Sequence, residues 1–484
     1  MRRLVSGSLE GGADAAALVA RLADTAADPV PEVRPLFEPG RDIVVARAPG
    51  RLDVMGGIAD YSGSRVLQWP TREATGVALQ RVPERVLRIV SVGPGPRGAA
   101  RTREIPLAAL EDADGHPVSY ESGARRIGPG PAEHWATYVA GAWLALAREA
   151  GVRFPDGARV LVVSEVPESV GVSSSAALEV ATLWAVCGAY GLHLPADTRA
   201  RLCQIVENRV AGAPCGIMDQ MTAALGCAGR LLRLRCQPAV VEGQIALPPG
   251  LAVWGIDSGV RHAVSGSDYT AVRVGAFMGY RVIAGLARLP VHGVADGTVR
   301  IDDNRWGGYL ANLSPAEFEA VAGEVPEVMN GAAFLARFGG ITDTVTRVDP
   351  ARDYAVRVPA AHAVYEHARV RAFAQALGAC VPDGAAAGRL MQASHESYSA
   401  CGLGSAATDR LVELVRARGV GEGLFGARIT GGGSGGTVAV LGSATAGPVV
   451  DEIAAVFARE AGHRPHVFSG SSPGAAGFGH LVVR

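Results

Sequence analysis

Hydrophobic and polar positions along the chain alternate between runs typical of strands and stripes typical of helices. Short apolar runs predict strands at 43–46, 86–92, 160–163, 251–256 and 437–441. Helical periodicity predicts helices at 13–27, 134–149, 175–190, 197–210, 362–377, 405–418 and 449–461. Because the two kinds of segment are interleaved along the chain, the pattern predicts a fold of mixed helices and sheets.

Three stretches lack a clear pattern. Residues 1–40 combine an alanine-rich helix with a proline-punctuated linker, and 93–131 is bounded by GPGP at both ends, so we expect it to be a surface loop. The composition loosens again through 290–360. A length of 484 residues is typical of two or three domains. We therefore expect a helix and linker at 1–40, an N-terminal domain at 41–252 and a C-terminal domain at 253–484.

The overall composition excludes two classes of protein. Hydrophobic residues make up 48% and charged residues 19% of the chain, which is typical of a globular protein. No apolar run approaches the roughly 18 residues that a membrane span needs. With 46 basic and 47 acidic residues, nothing attracts the whole chain to nucleic acid or anionic lipid. We expect small-molecule partners, with no nucleic acid and no membrane.

Every basic residue is arginine, since the sequence contains no lysine. A Walker A lysine, the strand lysine of protein kinases and Schiff-base chemistry are therefore excluded. The seven cysteines are odd in number and form no C-x-x-C pair, which favours reduced thiols over disulfides or zinc. The first residues lack the apolar stretch of a signal peptide, so we expect a cytoplasmic protein.

The segment PESVGVSSSAALE places three serines at the start of a predicted helix. Unpaired N–H groups and the helix dipole favour an anion such as a phosphate chain at that position, and the hydroxyls suit Mg²⁺. Serine is also a good helix cap, so the string alone leaves a purely structural role open.

The segment RITGGGSGGTVAVL contains a glycine loop at 431–436. It satisfies both G-x-G-x-x-G and G-x-S-x-G, yet a β-branched strand follows where either motif needs a helix. Five glycines in six residues favour close approach of the backbone to a ligand, while a flexible turn remains the alternative.

Two further segments place charged residues beside glycines. VENRVAGAPCGIMDQM contains Glu207 and Asp219, a pairing suited to one metal ligand and one acid that faces a hydroxyl. APGRLDVMGGIADY contains Arg51 and Asp60. Each residue alone would be an ordinary surface charge.

Taken in order, these segments resemble the GHMP kinases, specifically the galactokinase branch. APGRLDVMGGIADYSG resembles the galactokinase signature, PESVGVSSSAALE the phosphate-binding motif, APCGIMDQ the catalytic-aspartate segment and TGGGSGG the third motif. DSGVRHAVSGSDYTAVR is similar to the segment that presents a sugar-contacting tyrosine. RVGAFMG and SYSACGLGS are similar to kinases of L-arabinose, and this likeness extends from about residue 40 to the end, including the 290–360 segment that ordinary galactokinases lack.

The resemblance implies a two-domain α+β fold, with an N-terminal domain like ribosomal protein S-five, a ferredoxin-like C-terminal domain and the active site between them. It implies that Asp219 is the catalytic aspartate, that Arg51 pairs with it, and that Ser175 and Glu207 bind Mg²⁺. The cradle for ATP would be formed by Gly171, Val172, Ser173, Ser174, Ser175 and Ala176. The sugar would meet Asp60, Gly57, Ile58, Tyr269, Asp219, Gly432 and Gly433.

The residues at 57 and 58 depart from the galactokinase pattern. Galactokinases typically have Glu-His there, and that pair contacts the hydroxyl on the sixth carbon of the sugar. L-arabinopyranose has the ring configuration of galactose without the hydroxymethyl group, so an apolar Ile58 suits it. Galactose would leave a hydroxyl poorly paired, at a cost of about 1–3 kcal/mol. The expected reaction is ATP-dependent phosphorylation of the anomeric hydroxyl of L-arabinose, giving L-arabinose 1-phosphate.

Three alternatives remain at this point. A kinase for galactose or another aldose differs only in the pocket. A non-catalytic sugar sensor on the same fold is disfavoured because Arg51, Ser175, Glu207 and Asp219 are all intact. A serine hydrolase or dinucleotide oxidoreductase, suggested by the glycine loop, leaves the other three segments unexplained.

Overall fold

The computed structural model describes residues 2–9, 12–93, 99–261, 267–294 and 297–484. Parts of four segments named in the sequence analysis lie outside the described residues, namely positions 1, 10 and 11 of the N-terminal segment, 94–98 of the expected surface loop, 262–266 of the tyrosine segment and 295–296 of the 290–360 segment. Within the described residues, no helix has both the length and the apolar character that crossing a bilayer requires.

The first half of the chain contains a long antiparallel hairpin and the helices that cover it. Its strands are β1 (Leu4–Ser6), β2 (Ile43–Met55), β3 (Arg65–Val82), β4 (Val86–Val92), β5 (Ala100–Pro106), β6 (Gly157–Ser164), β7 (Arg230–Arg235) and β8 (Val240–Ala246). Its α-helices are α1 (Ala13–Ala23), α2 (Tyr120–Ile127), α3 (Ala136–Ala150), α4 (Ser174–Tyr190), α5 (Ala196–Ile205) and α6 (Met218–Leu225). A π-helical turn, Val206–Val210, continues α5.

The second half contains a smaller sheet, two short hairpins and several long helices. Its strands are β9 (Leu251–Asp257), β10 (Val291–Gly293), β11 (Val299–Ile301), β12 (Val328–Asn330), β13 (Asp353–Ala355), β14 (Leu424–Ile429), β15 (Thr437–Ser443), β16 (Val467–Ser469) and β17 (Leu481–Val483). Its α-helices are α7 (Ser267–Leu286), α8 (Pro315–Ala322), α9 (Gly331–Phe338), α10 (Arg357–Leu377), α11 (Gly384–Ala400), α12 (Ala406–Arg418), α13 (Gly447–Ala461) and α14 (Ala475–Phe478).

The larger sheet has the order β1-β17-β2-β3-β6-β4-β5, and β7 and β8 extend it from the other end of β3. Among the described strand pairs of this sheet, β4 and β6 are the one parallel pair. Every residue of β2 is buried, because helices and the second half of the chain cover the sheet. The smaller sheet has the order β14-β15-β9-β16 and is antiparallel throughout. An apolar cluster that includes Leu52, Leu67, Val253, Phe373 and Phe468 joins the two halves.

Most predicted strands and helices are confirmed to within a few residues, including β4 at 86–92 and α13 at 447–461. The helical pattern at 197–210 is interrupted, since α5 ends at Ile205 and a π-turn completes it. The sequence analysis did not anticipate α7 and α11, although both are long.

The prediction of a surface loop at 93–131 is wrong for its described part. This segment contributes β5 to the larger sheet and contains α2. Ile105, Leu107 and Ile127 are buried in the core beneath α3. The Gly-Pro pairs at 128–131 lie outside any helix or strand, whereas the apolar residues of the segment are too few and too scattered to predict a strand.

The N-terminal segment is more than a linker. β1 pairs with β17, and Leu18, Leu22 and Leu36 are buried against the larger sheet. The predicted domain boundary near 252 stays a prediction. The last strand, β17, nevertheless pairs with β2 and so lies in the sheet of the first half.

Candidate active site

Arg51 and Asp219 meet at the base of a cavity between the two halves of the chain. Arg51 Nε and Nη2 lie 2.9 Å from Asp219 Oδ1 and Oδ2, respectively, which makes a two-point ion pair. Arg51 is a buried residue of β2, while Asp219 lies in the first turn of α6. Arg51 Nη1 also donates to the carbonyl of Gly171 at 2.7 Å. One arginine thus connects the candidate catalytic carboxylate to the serine segment.

The serine loop (residues 171–175) leads into α4. Gly171 and Ser173 have φ values of 75° and 60°, so the chain enters the helix through left-handed conformations. Ser173 occupies the N-cap position, but its side chain does not cap the helix. Its hydroxyl donates to Asp219 Oδ2 instead. The alternative that these serines serve only as helix caps is therefore wrong for Ser173. The Ser173 side chain does not cap the backbone N–H groups in the first turn of α4.

Ser175 and Glu207 form the second polar pair of the site. The Ser175 hydroxyl donates to Glu207 Oε1 at 2.7 Å, and Glu207 is buried in the π-helical turn. Burial is the largest cause that raises the pKa of Glu207 to about 7, with the charge of Asp219 acting in the same direction. A cation beside it would favour its ionised form. Both side chains offer the oxygen atoms that Mg²⁺ prefers, so the residues present suit that ion.

The glycine loop packs directly on the serine loop. A β-carbon at Gly431 would lie 2.8 Å from the Gly171 carbonyl, and one at Gly436 would lie 2.9 Å from the Val170 carbonyl. Both glycines have positive φ. Thr437 Oγ1 donates to the same Val170 carbonyl at 2.8 Å. Larger residues would push the two loops apart. This close packing explains the run of glycines, and neither a flexible turn nor a dinucleotide-binding motif is needed to account for it.

Asp60 and Tyr269 line the same cavity as Asp219 and the serine loop. Asp60 is buried, and a β-carbon on Gly216 would collide with its carboxylate, which indicates close contact between these segments. Burial and then the charge of Asp219 raise the pKa of Asp60 to about 6, while Arg273 opposes the rise. Tyr269 is a buried residue of α7 beside them.

Residues 57 and 58 occupy different surroundings although they are neighbours. Ile58 lines the cavity with a φ of 50°, and its side chain belongs to an apolar cluster with Tyr269 and Tyr398. Gly57 instead faces the interior, where a β-carbon would lie 2.0 Å from the Tyr398 hydroxyl and 2.1 Å from Asp53 Oδ2. No larger side chain fits at position 57 in this arrangement.

The cavity has a volume of about 350 Å³, within the usual range of small-molecule sites. Most predicted site residues line it: Arg51, Ile58, Asp60, Gly171, Ser173, Ser174, Ser175, Glu207, Asp219, Tyr269 and Gly432. Four do not. Val172 and Ala176 have buried side chains, Gly57 faces Asp53, and Gly433 packs against Leu403.

Several lining residues were missed by the sequence analysis. His134, Trp135 and Tyr138 lie around the start of α3, and Arg101 stacks on Trp135 with its guanidinium carbon 5.2 Å from the ring centroid. An aromatic wall of this kind suits a planar base. No recognisable spacing connects these residues, and Arg101 belongs to the segment expected to be a surface loop.

Comparisons with known proteins agree with this arrangement. The model of the GHMP kinases N terminal domain matches residues 137–227, and that of the GHMP kinases C terminal domain matches 372–459. A galactokinase of Chloroflexus aggregans is 31% identical over 400 residues, which cover 82% of this chain and 83% of that protein. The chain belongs to the GHMP kinase family. This GHMP kinase is also 44% identical over 93% of its length to an L-arabinokinase of Arabidopsis thaliana, of which it spans about half, 47%.

Solved structures confirm the predicted fold class. The structure of Lactococcus lactis galactokinase complexed with galactose superposes with a TM-score of 0.70 at 21% identity and covers 95% of this GHMP kinase and 98% of that chain. The structure of L. major mevalonate kinase in complex with R-mevalonate is more distant, with a TM-score of 0.51 at 15% identity, and covers 89% of this GHMP kinase and 97% of that chain. The two-domain α+β GHMP kinase fold is therefore established.

Proposed function

We propose that this GHMP kinase transfers the γ-phosphate of ATP to the anomeric hydroxyl of L-arabinose. The observation that carries the proposal is the convergence of Asp219, Arg51 and the serine loop on one cavity whose far side presents Asp60 and Ile58. The plant L-arabinokinase relative supports the choice of sugar. The galactokinase relatives support the reaction and keep galactose as the alternative substrate.

Asp219 is the residue that receives the sugar hydroxyl. Its carboxylate is held by Arg51 on one side and by the Ser173 hydroxyl on the other, so its orientation is fixed before the substrate binds. In that position it accepts or orients the proton of the attacking hydroxyl as the oxygen approaches the γ-phosphate. Arg51 offsets the negative charge that accumulates between the two oxygens. No covalent enzyme intermediate is needed.

The phosphates of ATP would bind at the serine loop. The first turn of α4 offers backbone N–H groups and the positive end of the helix dipole, which together attract anions. This arrangement replaces the lysine of other nucleotide-binding loops, which the sequence cannot supply. The base would lie toward His134, Trp135 and Tyr138.

Ser175 and Glu207 are the residues that would hold Mg²⁺. Bound Mg²⁺ neutralises charge on the phosphate oxygens during transfer. The Ser175 hydroxyl donates to one oxygen of the Glu207 carboxylate, and the amide of Gln220 donates to the other. Gln220 thus fixes the carboxylate so that Oε1 points to Ser175.

The sugar preference follows from Ile58 and Gly57. Ile58 gives the cavity an apolar surface, and Gly57 cannot be replaced by an acid because Asp53 and Tyr398 already fill the space. A hydroxymethyl group directed at Ile58 would lose hydrogen bonds to water without replacement. L-arabinose has no such group.

A panel of sugars tests the proposal by ADP release with ATP and Mg²⁺. The informative set is L-arabinose, D-galactose and D-fucose, since D-fucose keeps the sixth carbon of galactose without its hydroxyl. We expect kcat/KM for L-arabinose to exceed that for D-galactose by roughly 10-fold to 200-fold, with D-fucose between them. A higher value for D-galactose would identify a galactokinase, and no ADP release with any aldose would refute kinase activity.

A further inference from the structure

The buried ion pair between Arg273 and Asp343 lies directly behind the sugar side of the cavity. Arg273 Nε and Nη2 lie 2.7 Å and 2.9 Å from Asp343 Oδ2 and Oδ1, and both side chains are about 95% buried. Asp343 comes from the 290–360 segment, for which neither the sequence motifs nor the proposed reaction gives a role. Arg273 belongs to α7, one helical turn after Tyr269.

Asp343 is held firmly by its own loop. Its carboxylate accepts hydrogen bonds from the backbone N–H groups of Val345 and Thr346 at 3.0 Å and 3.2 Å, and from the Thr346 hydroxyl at 2.6 Å. Burial is the largest single effect and acts to raise the pKa of Asp343, but the charge of Arg273 and the hydrogen bonds from Arg273, Thr346 and Val345 together lower the pKa. The carboxylate is therefore a fixed, charged anchor for the guanidinium.

Arg273, which is held in place by Asp343, contacts the aromatic residues around Asp60. Its guanidinium carbon lies 5.2 Å from the ring centroid of Tyr61, which is the residue after Asp60. The Tyr61 ring in turn meets Tyr269 edge to face at 6.1 Å. A desolvated guanidinium stacked on a tyrosine is attracted to the face of the ring and restricts its movement.

The 290–360 segment also packs on the sugar signature at other points. Ala59 shares one apolar cluster with Trp306, Leu310 and Ile341. Tyr309 lies so close to Gly63 that a β-carbon there would be 2.4 Å from its ring. A second cavity of about 440 Å³ is lined by Asp60, Tyr61, Arg273 and Asp343 together, so Asp60 forms a wall between it and the first cavity.

We propose that Asp343 and Arg273 are positioning residues for the sugar, because their ion pair holds Tyr61 and Tyr269 in the arrangement that presents Asp60 to the sugar hydroxyls. The inference rests on the proposed function as a sugar kinase and gives the 290–360 segment a role in it. Neither residue touches the phosphate side of the cavity, so the role concerns sugar binding and leaves ATP binding unchanged.

The test compares Asp343→Asn with a matched pair elsewhere in the chain. Arg21 and Asp28 form a similar two-point pair at 2.6 Å and 2.8 Å, and Asp28 also accepts from the N–H group two residues later. We expect Asp343→Asn to raise KM for L-arabinose about 10-fold with KM for ATP changed less than about 2-fold. Asp28→Asn should change neither. Equal KM values for L-arabinose in wild type and Asp343→Asn, or parallel increases for sugar and ATP, would overturn the inference.

A second comparison separates charge from packing at position 273. Arg273→Lys keeps the charge and Arg273→Gln removes it, while both lose the planar contact with Tyr61. The groups that face Asp60 are Asp219 on α6, Asp53 on β2, Arg273 and Tyr269 on α7, and Cys236. Without the arginine charge, the acid limb of kcat/KM for the sugar should move up by roughly one pH unit in Arg273→Gln only. Identical profiles in the two variants would contradict the role.

If the proposed function is wrong, the experimental result differs from the one expected when only the positioning role is wrong. If the wild type turned over no aldose, the kinase assignment would fall, and calorimetric binding of L-arabinose to wild type and Asp343→Asn would then decide the inference alone. Weaker binding by the variant supports the positioning role, and equal binding overturns it. If Asp343→Asn does not fold, Arg273→Lys provides the same comparison with the charge retained.

Discussion

The guanidinium of Arg51 joins the Asp219 carboxylate to the Gly171 carbonyl, through contacts of 2.9 Å, 2.9 Å and 2.7 Å. These three residues come from a strand, a helix and a loop, and Arg51 lies 168 positions from Asp219 and 120 positions from Gly171 along the chain. Because one planar group makes all three contacts, the candidate acid cannot move independently of the loop that would hold the phosphates. In the proposed reaction, this connection would hold the attacking hydroxyl and the γ-phosphate at a fixed separation.

Replacing Ile58 with histidine should shift the sugar preference toward galactose. Histidine adopts a φ near 50° more readily than a β-branched residue, and its ring supplies a hydrogen-bond partner for a hydroxymethyl group. We expect the ratio of kcat/KM for D-galactose to that for L-arabinose to rise about 10-fold. Ile58→Leu, which stays apolar, serves as the control. An unchanged ratio in Ile58→His would remove residue 58 from the specificity argument.

The unfolding free energy of the protein should depend on pH through the ionisation of Asp60. Its pKa is raised from an ordinary 3.8 to about 6, so the folded state binds the proton more tightly than the unfolded chain. That contribution to stability is complete below pH 3.8 and is lost as the pH rises through about 6. Relative to Asp60→Asn, the wild type should lose roughly 2 kcal/mol of unfolding free energy between pH 4 and pH 7. Urea denaturation of both proteins at each pH measures this difference, and a constant difference would be inconsistent with a raised pKa.

Turnover should require Mg²⁺, and Glu207 should determine the Mg²⁺ concentration that is needed. Removing divalent ions with a chelator is expected to abolish turnover. Glu207→Gln keeps the size of the side chain but not its charge, so the Mg²⁺ concentration for half-maximal rate should rise about 10-fold to 100-fold. Glu179→Gln is the matched control, because Glu179 contacts the same Gln220 amide without lining the cavity. Equal Mg²⁺ dependence in both variants would argue against Glu207 as a ligand.

The sequence predicted that Ser175, Glu207 and Asp219 belong to one site, because each lies in a compact segment where glycine, proline and serine mark the turns. The structure brings all three to one cavity together with Arg51. The roles of these residues remain predictions until the variants are measured.

Other parts of the site could not be predicted for physical reasons. Arg101 and Trp135 meet by tertiary packing, which leaves no periodic trace in the sequence. Gly57 was expected to meet the sugar, but the side chains of Tyr398 and Asp53 occupy the space around it, and Tyr398 lies more than 300 residues away. The three-residue strand β1 pairs with β17 at the other end of the chain, and so short a strand has no recognisable pattern.

The turnover of Asp219→Asn with saturating ATP, Mg²⁺ and L-arabinose tests the central claim most directly. Asparagine keeps the shape of the side chain but cannot accept the hydroxyl proton, so kcat should fall at least about 100-fold, while calorimetry should show ATP binding near the wild-type level. Turnover within a few-fold of the wild type would contradict the account, because the chemistry would then not depend on the carboxylate that Arg51 and the serine loop hold in the cavity.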